Sequence, residues 1–394
     1  MRFFHFSEQP YPPAWDMSSP SLRVTPPNEQ CDPQEMAGLY HRYIDEWQIA
    51  DELGLDIMIN EHHATPVCMS AAASITHGIL ARVTKQARLL VLGVPIANRL
   101  DPVRAAEELA MVDVISRGRL EMGFVKGVAY EVPLAARSAV RMMDRFWEAH
   151  DLILKAMTTR DGPFSWEGKY FQLRNVNLWP RPWQQPHPPV WITGVSPSSV
   201  RPIAERGYVL ATMFNGYQAK ALFESYRKIW KDMGRPETPL DRFAYLGMVA
   251  VAGSEAEARR RANIMHDFIR SAAVASEPFR NPPGYVAAKD MARMMKPGAK
   301  GGFSMMTLDG RAVGIANASL QDLIDTGLMF CGTPDQVVEQ IAKYCDTVGG
   351  LGNFIAMCQA GALSHEDTKD NLTLFAREVI PRLKDRRVAE TVTA

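Results

Sequence analysis

Eight short apolar segments, separated by longer amphipathic ones, constrain the fold of this 394-residue chain more than any other feature. The apolar segments are residues 3–6, 55–60, 88–95, 120–124, 190–193, 208–213, 245–252 and 353–357. Between them, apolar residues recur at spacings of three and four, which is typical of helices. Strands that alternate with helices predict a parallel sheet, and eight such strands predict a closed (β/α)8 TIM barrel, an α/β fold.

The chain is longer than this fold requires. A minimal barrel takes about 250 residues, so we expect a single barrel domain over residues 1–394 with two insertions. One insertion lies near residues 161–189 and is rich in Trp and Pro, and the other lies near residues 276–326 and contains AKGGFSMMTLDGRAVG. A Gly-rich insertion of this kind forms either a mobile lid over a site or an ordinary surface excursion, and both interpretations stay open.

Charge and composition argue against several classes of protein. Lys+Arg and Asp+Glu each number 44, so the chain lacks the basic excess that a nucleic-acid or anionic membrane partner requires. No apolar segment approaches the roughly 20 residues of a membrane span, and the start MRFFHFSEQP lacks the features of a signal peptide. Five scattered cysteines without a CxxC pair indicate reduced thiols. We therefore expect a cytoplasmic protein with no nucleic-acid and no membrane partner.

The sequence INEHH closes the second apolar segment and places Glu61, His62 and His63 at its end. The carboxyl ends of the strands of a TIM barrel carry its active site, so this position favours a catalytic role over that of ordinary surface or core side chains. A metal site is not favoured, because consecutive strand side chains point to opposite faces. The zinc motifs HExxH and CxxC are also absent.

Two further strand ends carry polar groups. Lys126 and Gly127 follow the fourth segment, where a lysine beside a glycine suits a phosphate or a flavin edge; the alternative is a solvated lysine in a loop. After the fifth segment, WITGVSPSSV places Gly194, Ser196 and Ser199 before a predicted helix. Backbone N–H groups at a helix start bind anions, although a serine that only caps the helix gives the same pattern.

Together these segments resemble the bacterial luciferase-like, flavin-dependent monooxygenase family. The matching pieces occur in the family's order, from about residue 54 to residue 338: ELGLD, INEHH, GVPIANRLDPVRAAEELAMVDVISRGRLEMGFVKG, PRPWQQPHPPVWITGVSPSSVRPIAERG and CGTPDQVVEQI. The resemblance implies the same TIM barrel, with flavin mononucleotide (FMN) bound at its top. It also implies that FMN arrives in reduced form from a separate NAD(P)H:flavin reductase.

The resemblance implies roles for individual residues. His62 corresponds to the family's catalytic histidine, with Glu61 and His63 as its supporting neighbours. The cofactor-binding positions are Val94, Pro95 and Ile96 under the isoalloxazine, and Lys126, Ser196 and Ser199, with Gly194 of the same segment, around the phosphate. Two positions depart from luciferase itself, because Val125 replaces a reactive cysteine and Asp101 replaces a histidine.

The activity that the resemblance implies is that of a monooxygenase. Such an enzyme uses reduced FMN and O2, through a peroxide at flavin carbon 4a, to oxygenate a small organic substrate. Histidine, whose unperturbed pKa is about 6.5, suits the proton transfers of this reaction. Baeyer–Villiger insertion, hydroxylation and aldehyde oxidation all stay open. So do a deazaflavin (F420)-dependent hydride transfer, a flavin-binding protein without turnover and a purely structural barrel.

The resemblance also bears on assembly. Members of the family commonly dimerise through helices around the second and third strands. Residues 71–84 and 103–115 are rich in Ala, Met and Ile, which fits a homodimer or a higher homo-oligomer. The alternative is that these apolar faces pack on the barrel, as part of every outer helix must.

Overall fold

Eight parallel strands close into a barrel in the computed structural model, which describes residues 1–384 except 17, 20, 195, 273–278, 280–281, 287–303 and 315–316. The strands are β1 Arg2–Phe6, β2 Asp56–Ile59, β3 Leu89–Val94, β4 Leu120–Phe124, β5 Val190–Thr193, β6 Val209–Met213, β7 Phe243–Val251 and β8 Asn353–Met357. Each pairs with the next, and β8 pairs with β1, so the ring closes. The predicted TIM barrel is confirmed.

Helices surround the barrel. Among the described residues they are α1 Pro33–Glu52, α2 Ala73–Val83, α3 Pro102–Ile115, α4 Glu131–Leu134, α5 Met142–Thr158, α6 Pro197–Arg206, α7 Ala219–Asp232, α8 Glu255–Ala272, α9 Leu320–Asp325, α10 Pro334–Val348 and α11 His365–Leu374. The Asp32 carboxylate caps α1 by accepting the Gln34 N–H at 2.8 Å. Asp101 caps α3 by accepting the Val103 N–H at 2.9 Å. Each cap satisfies N–H groups that lack a partner within the helix.

Shorter strands accompany the barrel. Phe164–Glu167 pairs antiparallel with Gln172–Val176, Ser304–Met306 pairs antiparallel with Ala312–Gly314, and Met329–Gly332 pairs in parallel with the end of β7. The two hairpins lie within the segments that the sequence predicts as insertions. Much of the second segment, including residues 287–303, lies outside the described residues, so a lid over the barrel stays a prediction.

Side chains of the strands alternate between two apolar layers. Phe4 and Phe6 of β1 belong to the layer inside the barrel, together with Met58 and Trp191. Phe3 belongs to the layer between the barrel and its helices. Because side chains fill the barrel interior, a ligand binds at an end of the barrel rather than along its axis.

A buried carboxylate links β1, β4, β5 and the residue that precedes β3 at the amino-terminal end of the barrel. Glu121 of β4 accepts hydrogen bonds from Arg2 Nη1 at 2.5 Å, from Arg88 Nε and from Trp191 Nε1 at 2.6 Å. Burial alone would raise the pKa of Glu121, but the hydrogen bond and charge of Arg2, aided by Arg88, lower it below its ordinary value. Both arginines keep their charge at all accessible pH, so the network holds the barrel together without exchanging protons.

One side of the barrel presents apolar side chains to solvent. Ile75, Ile79 and Val83 of α2 are 67%, 40% and 36% exposed, and Met111 and Ile115 of α3 are 50% and 46% exposed. The spacing of four residues within each helix aligns them on one face, which we call the α2–α3 surface. A contiguous exposed apolar patch is characteristic of an interaction surface. No helix among the described residues is long and apolar enough to span a membrane.

Candidate active site

The loop after β2 is folded back on itself, and this fixes the position of the INEHH residues. Ser70 Oγ donates to the Asn60 carbonyl at 2.7 Å, and the His62 N–H donates to the Ser70 carbonyl at 3.1 Å. The Asn60 side chain donates to Glu8 Oε2 at 2.8 Å, which ties the end of β2 to the end of β1. These bonds hold His62 at the carboxyl-terminal end of the barrel, where the sequence predicted it.

His62 forms a pair with a carboxylate that the sequence did not indicate. Its Nδ1 lies 2.9 Å from Glu131 Oε1, and the same oxygen accepts the His63 N–H at 3.0 Å. Glu131 opens α4, shortly after β4, and is 2% exposed. With Nδ1 bound to this carboxylate, Nε2 is the ring nitrogen left for a ligand, and it makes no hydrogen bond with the described residues.

The pair shifts the protonation of both of its members. Burial lowers the pKa of His62, but the hydrogen bond and charge of Glu131 outweigh it, so the pKa stands above its ordinary value of 6.5. Burial raises the pKa of Glu131, but His62 outweighs that effect and the pKa falls below 4.5. The carboxylate therefore stabilises a protonated imidazole, as expected when opposite charges meet out of water.

Glu61 and His63 lie beside this pair, and their side chains contact other groups. Glu61 accepts two hydrogen bonds from Arg99 Nη2, at 2.9 and 2.8 Å, and its Oε1 lies 3.4 Å from His63 Nε2. The hydrogen bond to Glu61 raises the pKa of His63 above its ordinary value. The structure thus separates the predicted trio into two units, His62 with Glu131 and His63 with Glu61.

Val94, Pro95 and Ile96 occupy the end of β3, as predicted. The side chains of Val94 and Ile96 belong to the apolar layer between the barrel and its helices. The Val94 carbonyl accepts the Val125 N–H at 3.0 Å, which joins β3 to the chain after β4. Backbone atoms and Pro95, rather than the Val94 and Ile96 side chains, are therefore what this strand end offers a planar ligand.

Lys126 and Gly194 follow adjacent strands at the same level. Phe124 of β4 pairs with Ile192 of β5, and each of the two residues follows two positions later. A Cβ atom on Gly194 would lie 2.4 Å from Leu210 Cδ1 and 3.4 Å from Ser199 Oγ, so a larger residue would require Leu210 to move. The parallel pairing brings both predicted cofactor-binding positions to the same end of the barrel.

Helix α6, which follows Gly194, has a serine at its cap position and another at its third helical position. Ser196 is the cap residue of α6, and Ser199 Oγ donates to the Ser196 carbonyl at 2.6 Å and accepts its N–H at 3.3 Å. The start of a helix presents unpaired N–H groups and the positive end of its dipole. Together with Lys126, these groups suit a phosphate monoester, and we call them the anion cradle.

Lys126 is held by an aromatic residue of the second predicted insertion. Its Nζ donates to the Tyr285 carbonyl at 2.6 Å and lies 3.6 Å from the centre of the Tyr285 ring. The Tyr285 hydroxyl donates to the Gly127 carbonyl at 2.8 Å. Burial lowers the pKa of Lys126. The described residues of this insertion therefore touch the anion cradle directly.

The fold and the site define a class of protein before any relative is considered: a TIM barrel with an anion cradle and a histidine–carboxylate pair at the same end. The family described as luciferase-like monooxygenase matches residues 22–349, and the chain belongs to this family. The resemblance drawn from the sequence is therefore confirmed.

Known proteins resemble the chain at the level of sequence and of fold. It is 31% identical over 247 residues to the oxygenase component of a flavin-dependent trigonelline monooxygenase from Acinetobacter baylyi, covering 60% of this chain and 66% of that protein. The matched stretch spans less than two thirds of the length of the first curated relatives.

Two solved structures share the fold. The oxygenating constituent of 3,6-diketocamphane monooxygenase from Pseudomonas putida, solved in complex with FMN, has a TM-score of 0.71 at 20% identity and covers 97% of this chain and 98% of that chain. An F420-dependent secondary alcohol dehydrogenase has a TM-score of 0.65 at 15% identity and covers 87% of this chain and 95% of that chain. At these identities the likeness establishes the fold alone.

Proposed function

We propose that the protein is a flavin-dependent monooxygenase that uses reduced FMN and O2 to oxygenate a small organic substrate. The observation that carries the proposal is the arrangement of the barrel end, where the His62–Glu131 pair and the anion cradle occur together. The similarity to an oxygenase component supports a two-protein system, in which a separate NAD(P)H:flavin reductase delivers the reduced FMN. The FMN complex of the structural neighbour supports the choice of cofactor.

The residues of the barrel end fit FMN. Its phosphate would sit in the anion cradle, held by Lys126, Ser196 and Ser199 and admitted by the space at Gly194. Its ring system would lie over the strand end at Pro95. Reduced flavin, when bound, supplies the electrons that activate dioxygen, and the protein's task is to orient the reactants, exclude water and manage protons.

His62 is the residue that manages protons in this proposal. Because Glu131 holds Nδ1, the ring can present Nε2 as a donor when protonated and as an acceptor when neutral. The raised pKa keeps the ring charged to a higher pH than a solvated histidine, so a proton is available near neutrality. Glu131 acts through His62 as a positioning residue and stabilises its charge.

An anaerobic titration with reduced FMN, followed by mixing with O2, tests the proposal. The wild-type protein should bind reduced FMN and, with a substrate from a panel of ketones and aldehydes, yield an oxygenated product. His62→Ala should bind reduced FMN with nearly unchanged affinity but release hydrogen peroxide and lose about 10²-fold or more in product formation. Full product formation by His62→Ala would contradict the role of His62.

The same titration separates the deazaflavin alternative. Reduced FMN and the deazaflavin F420 are titrated in parallel. Binding of F420 without binding of FMN would overturn the oxygenase and favour a hydride transfer. Binding of FMN with neither product nor substrate-dependent reoxidation would favour a flavin-binding protein without turnover.

We also propose a homodimer that forms through the α2–α3 surface. The exposed Ile75 and Ile79 support it, since burying each such side chain contributes roughly 1–2 kcal/mol. Sedimentation velocity should show a dimer for the wild type and a monomer for the double substitution Ile75→Lys, Ile79→Lys. Met233→Lys is the matched control, because Met233 is 46% exposed and lies outside this surface. A double variant that stays dimeric would move the interface elsewhere.

A further inference from the structure

A cavity of about 460 Å³ adjoins His62 on the side of the N-terminal segment. Its lining residues come from the N-terminal segment, from Tyr40 of α1 and from the segment that follows β2. A volume of this size lies within the range of about 300–1,000 Å³ that holds small organic ligands. His62 thus belongs both to the barrel end and to the lining of this cavity.

Apart from His62, the lining of this cavity is uncharged. Over the whole chain 22% of residues are Asp, Glu, Lys or Arg. None of the sixteen described residues that line the cavity is of these types, whereas they include three prolines, three alanines and two tyrosines. Burying a charged ligand against such walls would cost its hydration, and only His62 could offset part of that cost. The lining therefore favours largely apolar ligands.

Hydroxyl groups of the lining are directed at the protein rather than at the cavity. The Tyr40 hydroxyl donates to the Met69 carbonyl at 2.7 Å, and the Tyr11 hydroxyl accepts the Asp32 N–H at 3.0 Å. Thr65 donates to the Leu22 carbonyl at 2.8 Å. Burial raises the pKa of Cys68 well above its ordinary value, so this residue faces a ligand as a neutral thiol. For polar recognition this leaves Nε2 of His62 and the side-chain amides of Asn28 and Gln30.

We infer that this cavity binds the organic substrate, and that the substrate is an uncharged, largely apolar molecule with one oxygen or nitrogen that hydrogen-bonds to Nε2 of His62. The inference rests on the proposed function, since it gives His62 a substrate to act on. It assigns the N-terminal segment to substrate selection, while the anion cradle on the other side holds the cofactor.

Binding of the neutral fluorophore N-phenyl-1-naphthylamine to the full chain tests this site. Ala14 lines the cavity, so Ala14→Trp fills it, and the probe's dissociation constant should rise about tenfold or more as apolar contact area is lost. Glu29→Trp adds the same side chain to the same segment outside the lining and should leave the constant unchanged. Decan-2-one should displace the probe from the wild type at concentrations at which decanoate does not.

Two results would overturn the inference: equal probe affinity in Ala14→Trp and Glu29→Trp, or equal displacement by ketone and carboxylate. Thermal melts followed by circular dichroism establish that each variant is folded. If Ala14→Trp does not fold, Cys31→Trp replaces it, because Cys31 belongs to the same lining. Reduced FMN is titrated into the same samples. Failure of the wild type to bind FMN refutes the proposed function, whereas intact FMN binding with unaltered probe binding refutes only the cavity assignment.

Discussion

Two buried glutamates, one at each end of the same barrel, show how similar side chains serve different purposes. Glu121 at the amino-terminal end and Glu131 at the carboxyl-terminal end are each 2% exposed, and each has a lowered pKa. Glu121 is paired with arginines, which do not exchange protons near neutral pH, whereas Glu131 is paired with a histidine, which does. The difference indicates that the first end stabilises the fold and the second performs chemistry.

The largest effect is expected from Glu121→Ala. The substitution leaves two arginines and the buried Trp191 indole N–H without their shared acceptor. It should lower the free energy of unfolding by about 3 kcal/mol, the lower end for a broken buried ion pair, because Arg2 and Arg88 are partly exposed. Urea unfolding measures this change in free energy. A decrease of less than about 1 kcal/mol would mean that the Glu121 network does not stabilise the amino-terminal end of the barrel.

Glu131→Gln should have the opposite profile. The glutamine carbonyl oxygen can still accept from His62 and from the His63 N–H, so the free energy of unfolding should change by less than about 1 kcal/mol. Product formation should fall about 10²-fold, because the charge that favours protonated His62 is lost. Glu131→Asp should recover part of the rate. A variant that is strongly destabilised but fully active would reverse the comparison between the two ends.

A smaller effect is expected at the anion cradle. Ser199→Ala removes a hydroxyl that hydrogen-bonds to the backbone of Ser196 at the start of α6 and should cost about 1 kcal/mol of stability. Its affinity for FMN should fall about fivefold while its affinity for riboflavin, which lacks the phosphate, is unchanged. Ser364→Ala, which removes the cap of α11, is the matched control. Equal losses for FMN and riboflavin would place the phosphate elsewhere.

The pH dependence of stability distinguishes the two ends most finely. The raised pKa of His62 means that its pairing stabilises the fold fully below about pH 6.5 and that this contribution is lost as pH rises through the folded-state pKa. The lowered pKa of Glu131 gives a contribution that is present above 4.5 and lost at more acid pH. The difference in unfolding free energy between wild type and Glu131→Gln should therefore be largest between about pH 4.5 and pH 6.5. It should shrink as the pH rises through the folded-state pKa of His62. The difference for Glu121→Gln should stay constant above pH 4.5, and a difference that falls with rising pH at both ends would contradict the distinction.

Strong local patterns made the barrel predictable from sequence. The eight barrel strands are rich in aliphatic and aromatic residues, and Asp32 and Asp101 mark helix starts by satisfying N–H groups a few residues away. Helix α7 carried a comparable pattern in Leu222, Phe223, Tyr226 and Ile229, and it was missed although the spacing was available. The strand Met329–Gly332 was also missed.

The candidate site was predictable in its positions but not in its pairings. His62, Lys126 and Gly194 could be placed because each follows a predicted strand, and strand ends meet at one end of a barrel. The contact between His62 and Glu131 joins residues 69 positions apart, and no local pattern encodes it. A search for carboxylates shortly after each strand would have found Glu131 as a candidate.

We infer that Glu131 acts through the protonation of His62, and an NMR titration of the His62 ring measures this effect. The full-length protein is labelled at histidine, and His62→Ala assigns the signal. We expect a pKa above 6.5 in the wild type, a lower value in Glu131→Gln and the wild-type value in Glu121→Gln. An identical pKa in the wild type and in Glu131→Gln would show that the carboxylate at the carboxyl-terminal end does not tune the histidine, and the distinction between the two ends would fall.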